Sequence, residues 1–289
     1  MRLESFAKLN LYLRILGRRS DHYHNLKTLF ERISLFDSIV LTPRLDKKIK
    51  IRCDNPQVPS DKTNLVFRAA KILQDASKVK KGVDIKITKR IPIGSGLGGG
   101  SSNAACVLKG LNKLWGLGLS RDKLVKFSRG IGSDVAFFIY DCPFAEGRGR
   151  GDIIKPLTAL KKLRLWQVVV VPRLEVPTAR IYRLWDSLKL QLTRPVPDVK
   201  ILSWALQKKN RSLIKETLDN NLEPVTARKY PEIRRIKEEM FKAGARIALM
   251  SGSGSAVFTL TDSKKEALVL ARRLKRLKRF WQVFVTHTI

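Results

Sequence analysis

Cysteine is scarce in this chain, and so is negative charge. There are three cysteines in 289 residues, Cys53, Cys106 and Cys142. An odd number at scattered spacing fits neither a disulfide framework nor a zinc cluster, so three buried, unpaired thiols are expected. Long apolar runs are missing too. The stretch Trp166 to Pro172 is only of strand length, far below the roughly 18–20 residues that span a bilayer. The opening residues, MRLESFAKLN, carry no long apolar core with a small-residue cleavage site, so no membrane association and a cytoplasmic location are expected. No internal repeat or low-complexity segment is visible, which argues against solenoids and propellers. Against 58 Lys+Arg stand only 25 Asp+Glu, a net charge of +33. Such a balance attracts polyanions and anionic substrates without distinguishing between them. The basic residues are spread along the chain, with local peaks such as Lys161-Lys162 and Lys208-Lys209. They are not interleaved with aromatics as in a nucleic-acid motif. A solvated basic surface is the expectation, with non-specific polyanion binding and no dedicated nucleic-acid partner.

What remains is an ordinary globular composition, 44% hydrophobic, with length for one or two domains. From Phe6 to Ile15 the chain alternates: Leu9, Leu11, Leu13 and Ile15 on one face, Lys8, Asn10, Tyr12 and Arg14 on the other. Further strands are expected at 28–35, 38–42, 48–53 and 83–89, with a helix over 64–75. Helical spacing recurs over 101–115 and 120–129, where Ser120 is a fitting N-cap. A second region opens with the strand 166–171 and continues with helices near 178–188, 199–208 and 231–243. It closes with strands at 246–250, 256–260 and 281–286 around a helix over 263–277. Such mixing reads as an α+β protein of two domains, 1–155 and 156–289.

Chemistry concentrates in Pro92-Ile93-Gly94-Ser95-Gly96-Leu97-Gly98-Gly99-Gly100-Ser101-Ser102, set between a strand and a helix. Glycines let a phosphate approach the main chain, and consecutive N–H groups plus a helix N-terminus make an anion nest. Ser101 and Ser102 add hydroxyls. A flexible surface loop is the bland alternative, but five glycines between residues 94 and 100 favour phosphate. No Gly-Lys-Ser/Thr closes the loop, so it is not a Walker A sequence. Gly94, Gly96 and Gly99 satisfy G-x-G-x-x-G formally, yet no acidic strand end follows for a ribose. The protein-kinase signatures are missing as well. Two other signals are weaker by themselves. Asp134, in Gly132-Ser133-Asp134 before an apolar run, reads as a turn or a cap. Lys8 reads as a solvated lysine on the polar face of an edge strand.

The segment Pro92 to Ala105 resembles the ATP-phosphate loop of the galactokinase, homoserine kinase and mevalonate kinase (GHMP) superfamily. Gly-Leu-Gly-Gly-Gly-Ser-Ser is most similar to the branch acting on cytidine-diphosphate-linked methylerythritol. Ala7-Lys8-Leu9-Asn10, Asp21-His22-Tyr23-His24, Gly132 to Phe138, Asn221-Leu222-Glu223 and Ser251-Gly252-Ser253-Gly254 extend the likeness over almost the whole chain. It implies a two-domain kinase, with a ribosomal protein S5 domain 2-like N-terminal part and a ferredoxin-like C-terminal part. MgATP would donate a phosphoryl group to the 2-hydroxyl of that small-molecule substrate. By the same resemblance Asp134 is the catalytic base, and Lys8 pairs with it and offsets phosphoryl charge. ATP is held by Pro92, Gly94, Gly96, Leu97, Gly98, Gly99, Gly100, Ser101 and Ser102. Asn10, Tyr23, His24, Thr178 and Tyr182 contact substrate, Tyr23 by stacking on cytosine and His24 at its polar edge. Tyr182 is equally readable as a helix-packing aromatic. No metal ligand is assigned. Two positions depart from the family pattern: His22 stands for a glycine, so the loop must adjust if positive φ is needed there, and Asn103 stands for an aspartate. Mevalonate or homoserine kinase is the nearest rival, and an RNA-binding protein on a related fold is the more distant one.

Overall fold

The computed structural model describes residues 1–188, 198–277 and 280–289. Its first sheet is organised by two long strands, β1 (Arg2–Arg18) and β2 (His24–Arg44), paired antiparallel along their length. Beyond β2 come β3 (Ile49–Cys53), α1 (Leu65–Ala76) and β4 (Gly82–Thr88). Then follow α2 (Gly99–Leu114), α3 (Arg121–Ser128), α4 (Val135–Tyr140), β5 (Phe144–Gly149) and β6 (Ile153–Pro156). One edge of β2 is shared: residues 38–44 pair with β4, residues 26–31 with β5.

The remainder runs β7 (Trp166–Val171), α5 (Thr178–Ser187), α6 (Val199–Lys208), α7 (Arg211–Thr217), β8 (Asp219–Asn220) and α8 (Glu223–Lys229). It ends with α9 (Glu232–Lys242), β9 (Leu249–Met250), β10 (Val257–Thr261), α10 (Lys264–Leu277) and β11 (Gln282–His287). The second sheet has the order β11-β7-β10-β9, all neighbours antiparallel, which is the ferredoxin-like arrangement. Among the described residues no helix is long and apolar enough to cross a membrane.

Local sequence explains most boundaries. Asn64 caps α1 by accepting from the Val66 N–H, and Ser120 caps α3 by accepting from Lys123. The valines of β7 are buried on both faces of their sheet: Val168 and Val170 pack toward α9 and α10, whereas Val169 and Val171 pack toward β1 and β2. That second face makes one core of the two sheets, in which Leu9, Leu11, Leu29 and Ile33 meet Val169, Val171 and Phe258. Each such side chain contributes about 1.5–3 kcal/mol by leaving water. The two halves therefore share a core packed around β1.

Three expectations change. Residues 28–35 and 38–42 form one strand, β2, the break between them being only a register shift against β1, where Phe6 faces Phe36 and Ala7 faces Ile33, with Asp37 turned inward and fully buried. The alternation of β1 is interrupted by a bulge between Asn10 and Tyr12. Leu11 and Tyr12 are consequently both buried, as expected when one extra residue is inserted. All three cysteines are free, but only Cys106 is buried, Cys53 and Cys142 being half-buried.

Candidate active site

Between the two halves lies a cavity of about 1040 Å³, bordered by Lys8, Asp134, the Gly-rich loop, Tyr23, His24 and Tyr182. Its floor is the start of α2. Gly98 is the N-cap, at φ 70, with no side chain closing the helix end. The first intrahelical bond of that turn is Ser102 N–H to Gly98 C=O, so the N–H groups of Gly99, Gly100 and Ser101 lack helical acceptors. They line the cavity with Gly98. An anion is the natural partner of such an end. Gly98 has little room for anything else, since a Cβ would lie 3.1 Å from both the Lys8 and Phe138 side chains. Gly96 is constrained further: at φ +77, its Cβ would sit 2.1 Å from the Ser251 carbonyl oxygen.

Lys8 stands over this loop, 3% exposed. Its ammonium donates to the Gly96 carbonyl at 2.9 Å and to Asn10 Oδ1, and lies 3.4 Å from Asp134 Oδ2. Asp134 begins α4 without capping it. The carboxylate, 31% exposed, is thus free to face the cavity while Val135 to Ile139 anchor the helix in the core. Asn10 is fixed by donating to Thr28 Oγ1 at 2.8 Å, and its own N–H donates to Ser251 Oγ. The bulge beside Asn10 keeps Lys8 and Asn10 on the cleft side while Tyr12 returns to the core.

The Asn-Leu-Glu and Ser-Gly-Ser-Gly motifs brace this arrangement. Asn220 donates to the carbonyls of Met250 and Gly252, Asn221 accepts from Ile15, and Glu223 accepts from the Met250 N–H. Ser251 Oγ donates to the Gly96 carbonyl, and Ser253 shares a 2.9 Å bond with Thr178.

The loop residues named from sequence all border the cavity except Ser102. The residue is 2% exposed and its hydroxyl accepts from Ser5 Oγ at 2.8 Å, so it faces the core instead of the cavity. Asn103 donates from Nδ2 to Ser5 Oγ and to Asp37 Oδ2, each at 2.9 Å. A carboxylate at 103 would confront Asp37, and the amide is the group that fits there. Asp37 also accepts from Lys89 Nζ and from the N–H groups of Arg90 and Ile91. His22 keeps positive φ, at 64°, so the loop retains the left-handed turn despite the side chain. Tyr23 is 52% exposed, with the Arg150 guanidinium 4.9 Å from its ring centre. His24 is buried, stacked on Tyr182 with centroids 5.0 Å apart, and its Nε2 lies 2.7 Å from Asp186 Oδ1. Arg150 and Asp186 were not anticipated. The Gly-Arg-Gly-Arg-Gly run at 147–151 was a signal for the first, and the i, i+4 spacing of Tyr182 and Asp186 for the second.

Comparison with known proteins agrees with this geometry. The family description "GHMP kinases N terminal domain" matches residues 64–142, and "GHMP kinases C terminal" matches 202–278. A 4-diphosphocytidyl-2-C-methyl-D-erythritol kinase of Geobacillus sp. (strain WCH70) is 44% identical over 256 residues, 89% of this chain and 86% of the relative. The kinase of that name from Syntrophotalea carbinolica is 40% identical over 290 residues, covering 99% of each. Among solved structures, a 4-(cytidine 5'-diphospho)-2C-methyl-D-erythritol kinase superposes with a TM-score of 0.81 at 34% identity over the full length of both chains. The mevalonate kinase of Methanococcus jannaschii, at 16% identity and a TM-score of 0.70 over 100% of this chain and 98% of its own, shares the fold alone. With the two family descriptions falling in order over more than half of the chain, and relatives 40–44% identical over 89–99% of it, this chain belongs to the GHMP kinase family.

Proposed function

We propose that this chain is an ATP-dependent kinase that phosphorylates the 2-hydroxyl of 4-diphosphocytidyl-2-C-methyl-D-erythritol, a step of non-mevalonate isoprenoid synthesis. One observation carries the reading. A single cavity holds the Lys8–Asp134 pair beside the uncapped N-terminus of α2, and it also contains the aromatic pocket of Tyr23, His24 and Tyr182. The chain divides near residue 155 into an ATP-binding part and a C-terminal part that completes the substrate side.

In this reading the N–H groups of Gly99, Gly100 and Ser101 receive the ATP phosphates. The substrate hydroxyl sits against Asp134, which takes its proton as the new O–P bond forms and the bond to the ADP oxygen breaks. Phosphoryl transfer has a loose transition state, so positioning and charge compensation matter more than base strength. Lys8 supplies both, tying Asp134 to the loop through Gly96. Magnesium would accompany ATP, and the Ser101 hydroxyl bordering the cavity is the hard oxygen donor at the loop that would suit it, Asp134 being kept for the proton. Such an ion commonly keeps several waters and takes few protein ligands; bound there, it would offset phosphate charge. The cytidine end lies remote from the reacting hydroxyl, and its binding orients that hydroxyl.

The test is an ADP-release assay on the purified chain with the cytidine compound, methylerythritol phosphate, mevalonate and homoserine. The cytidine compound should be turned over with the highest kcat/KM. Efficient phosphorylation of mevalonate without it would leave the family standing and remove the substrate.

A further inference from the structure

His24 is the one buried ring in the base pocket, 6% exposed, and its surroundings fix more than its position. Tyr182 lies nearly parallel to it, at 27°, and Trp185 meets it edge-on with centroids 5.7 Å apart. Both come from α5, as does Asp186, whose carboxylate is 2.7 Å from Nε2. Arg18, from β1, approaches the other oxygen of Asp186, with Nε 3.8 Å away. The contact at Nε2 is the ring's hydrogen bond within the described residues, and His24 borders the cavity.

A carboxylate only accepts, so the nitrogen facing it must carry the hydrogen. A neutral imidazole with its hydrogen on Nε2 has a bare lone pair on Nδ1. That lone pair is a question a pyrimidine can answer in only one way. Cytosine presents a 4-amino donor; uracil presents a 4-carbonyl, an acceptor against an acceptor. Uracil could offer its N3–H only by sliding along its own edge, out of the register set by the ribose and diphosphate. A mismatched pair leaves a desolvated acceptor on each side, which is the costliest kind of error in a polar pocket.

We propose that Asp186 is a positioning residue that sets the tautomer of His24 and thereby selects cytidine-linked over uridine-linked substrates. The inference deepens the kinase reading above and rests on it. Asp186 touches no reacting group; it acts through His24, so its effect belongs in substrate choice and not in the chemical step.

The experiment measures kcat and KM for the cytidine-linked and the uridine-linked methylerythritol diphosphates, with the unaltered chain and with Asp186→Asn. The amide is nearly isosteric, but it can turn either its oxygen or its NH2 toward Nε2, so both tautomers become available. The unaltered chain should prefer the cytidine compound strongly. In Asp186→Asn that preference should fall by about tenfold or more, through a higher KM for the cytidine compound, while kcat changes little. An unchanged preference, with KM rising equally for both compounds, would make Asp186 a packing residue only and overturn the proposal. Nitrogen-15 spectra of the histidines in the unaltered chain give an answer that needs no variant. His24 should report hydrogen on Nε2 and none on Nδ1; hydrogen on Nδ1, alone or together with Nε2, overturns the inference. If neither pyrimidine compound is turned over, the kinase reading fails and takes this one with it. If the cytidine compound is turned over and the preference survives substitution, only the role of Asp186 falls.

Discussion

A lysine with three hydrogens is fully used at position 8. Gly96, Asn10 and Asp134 each take one direction of its ammonium, and they belong to the phosphate loop, β1 and the start of α4. Removing the charge of Asp134 should therefore leave Lys8 in place, held by the other two. Asp134→Asn keeps shape and loses the proton acceptor. We expect kcat to fall by about 10²–10⁴-fold, the usual weight of a positioned base, with KM for ATP within a few-fold. Steady-state kinetics check it, and near-normal kcat would remove Asp134 from the chemistry. His22 offers a different residue-scale test. Its φ of 64° is a conformation that costs an L-residue roughly 1–2 kcal/mol. Glycine relieves this but gains about 0.4–1 kcal/mol of freedom in the unfolded chain. His22→Gly should thus stabilise the protein by about 0.5 kcal/mol, seen as a higher denaturation midpoint. A lower midpoint would mean that the imidazole holds the turn by its own contacts.

Elements interlock at the Gly-rich loop. Ala256 N–H donates to the Ser95 carbonyl and Val176 N–H to that of Gly94, and the Ser251 carbonyl fills the space where Gly96 would carry a Cβ. Gly96→Ala must push the loop away from the turn at 251–254. ATP affinity should drop by about tenfold or more while the fold persists, measurable by calorimetric titration; unaltered affinity would place the nucleotide elsewhere. A second junction is sensitive to pH. Glu31 of β2 is fully buried and accepts from Gln167 of β7 at 2.6 Å and from Thr288. Burial pushes its carboxyl up to about 8, against the pull of those two bonds. A folded value above the unfolded 4.5 means that the contribution is full below pH 4.5 and is lost as pH rises toward 8. The slope from this group is about 1.4 kcal/mol per pH unit. In Glu31→Gln it should vanish, leaving the variant more stable than the parent at pH 8; a parallel pair of stability curves would refute the assignment. These junctions also show what a linear reading reaches. The loop and α2 were legible because glycine spacing and a 3.6-residue period are local. The β1 bulge, the single long β2 and the pairing of Asp186 with His24 were not, because each depends on a partner far along the chain. The six apolar residues of α4 could not be told from a strand, since so short a run carries no period.

At the scale of the whole molecule the +33 charge meets a cavity of the same sign. Lys8, Arg18, Lys89, Arg150 and Arg183 border it against Asp134 and Asp186. Both proposed substrates are polyanions, and a cleft of one sign raises their local concentration and association rate. Lys8 and Lys89 are shielded by burial and by partners at short range, so salt should act mainly on the exposed remainder. Raising salt from about 0.05 M to about 0.5 M shortens the Debye length from roughly 14 Å to roughly 4 Å. We expect kcat/KM for both substrates to fall over that range, while kcat, set by Lys8 and Asp134 in direct contact at 3.4 Å, stays nearly level. The same charge spread over the outer surface should hold heparin or RNA at low salt, without sequence preference, and release it steeply, by orders of magnitude in affinity between about 50 and 200 mM. The two curves separate the uses of the charge. If kcat falls with kcat/KM, the field reaches into the chemical step. If one RNA sequence is held tightly through 0.5 M salt (about the top of the range), the surface is a nucleic-acid site in its own right, because counterion release cannot produce a preference among sequences.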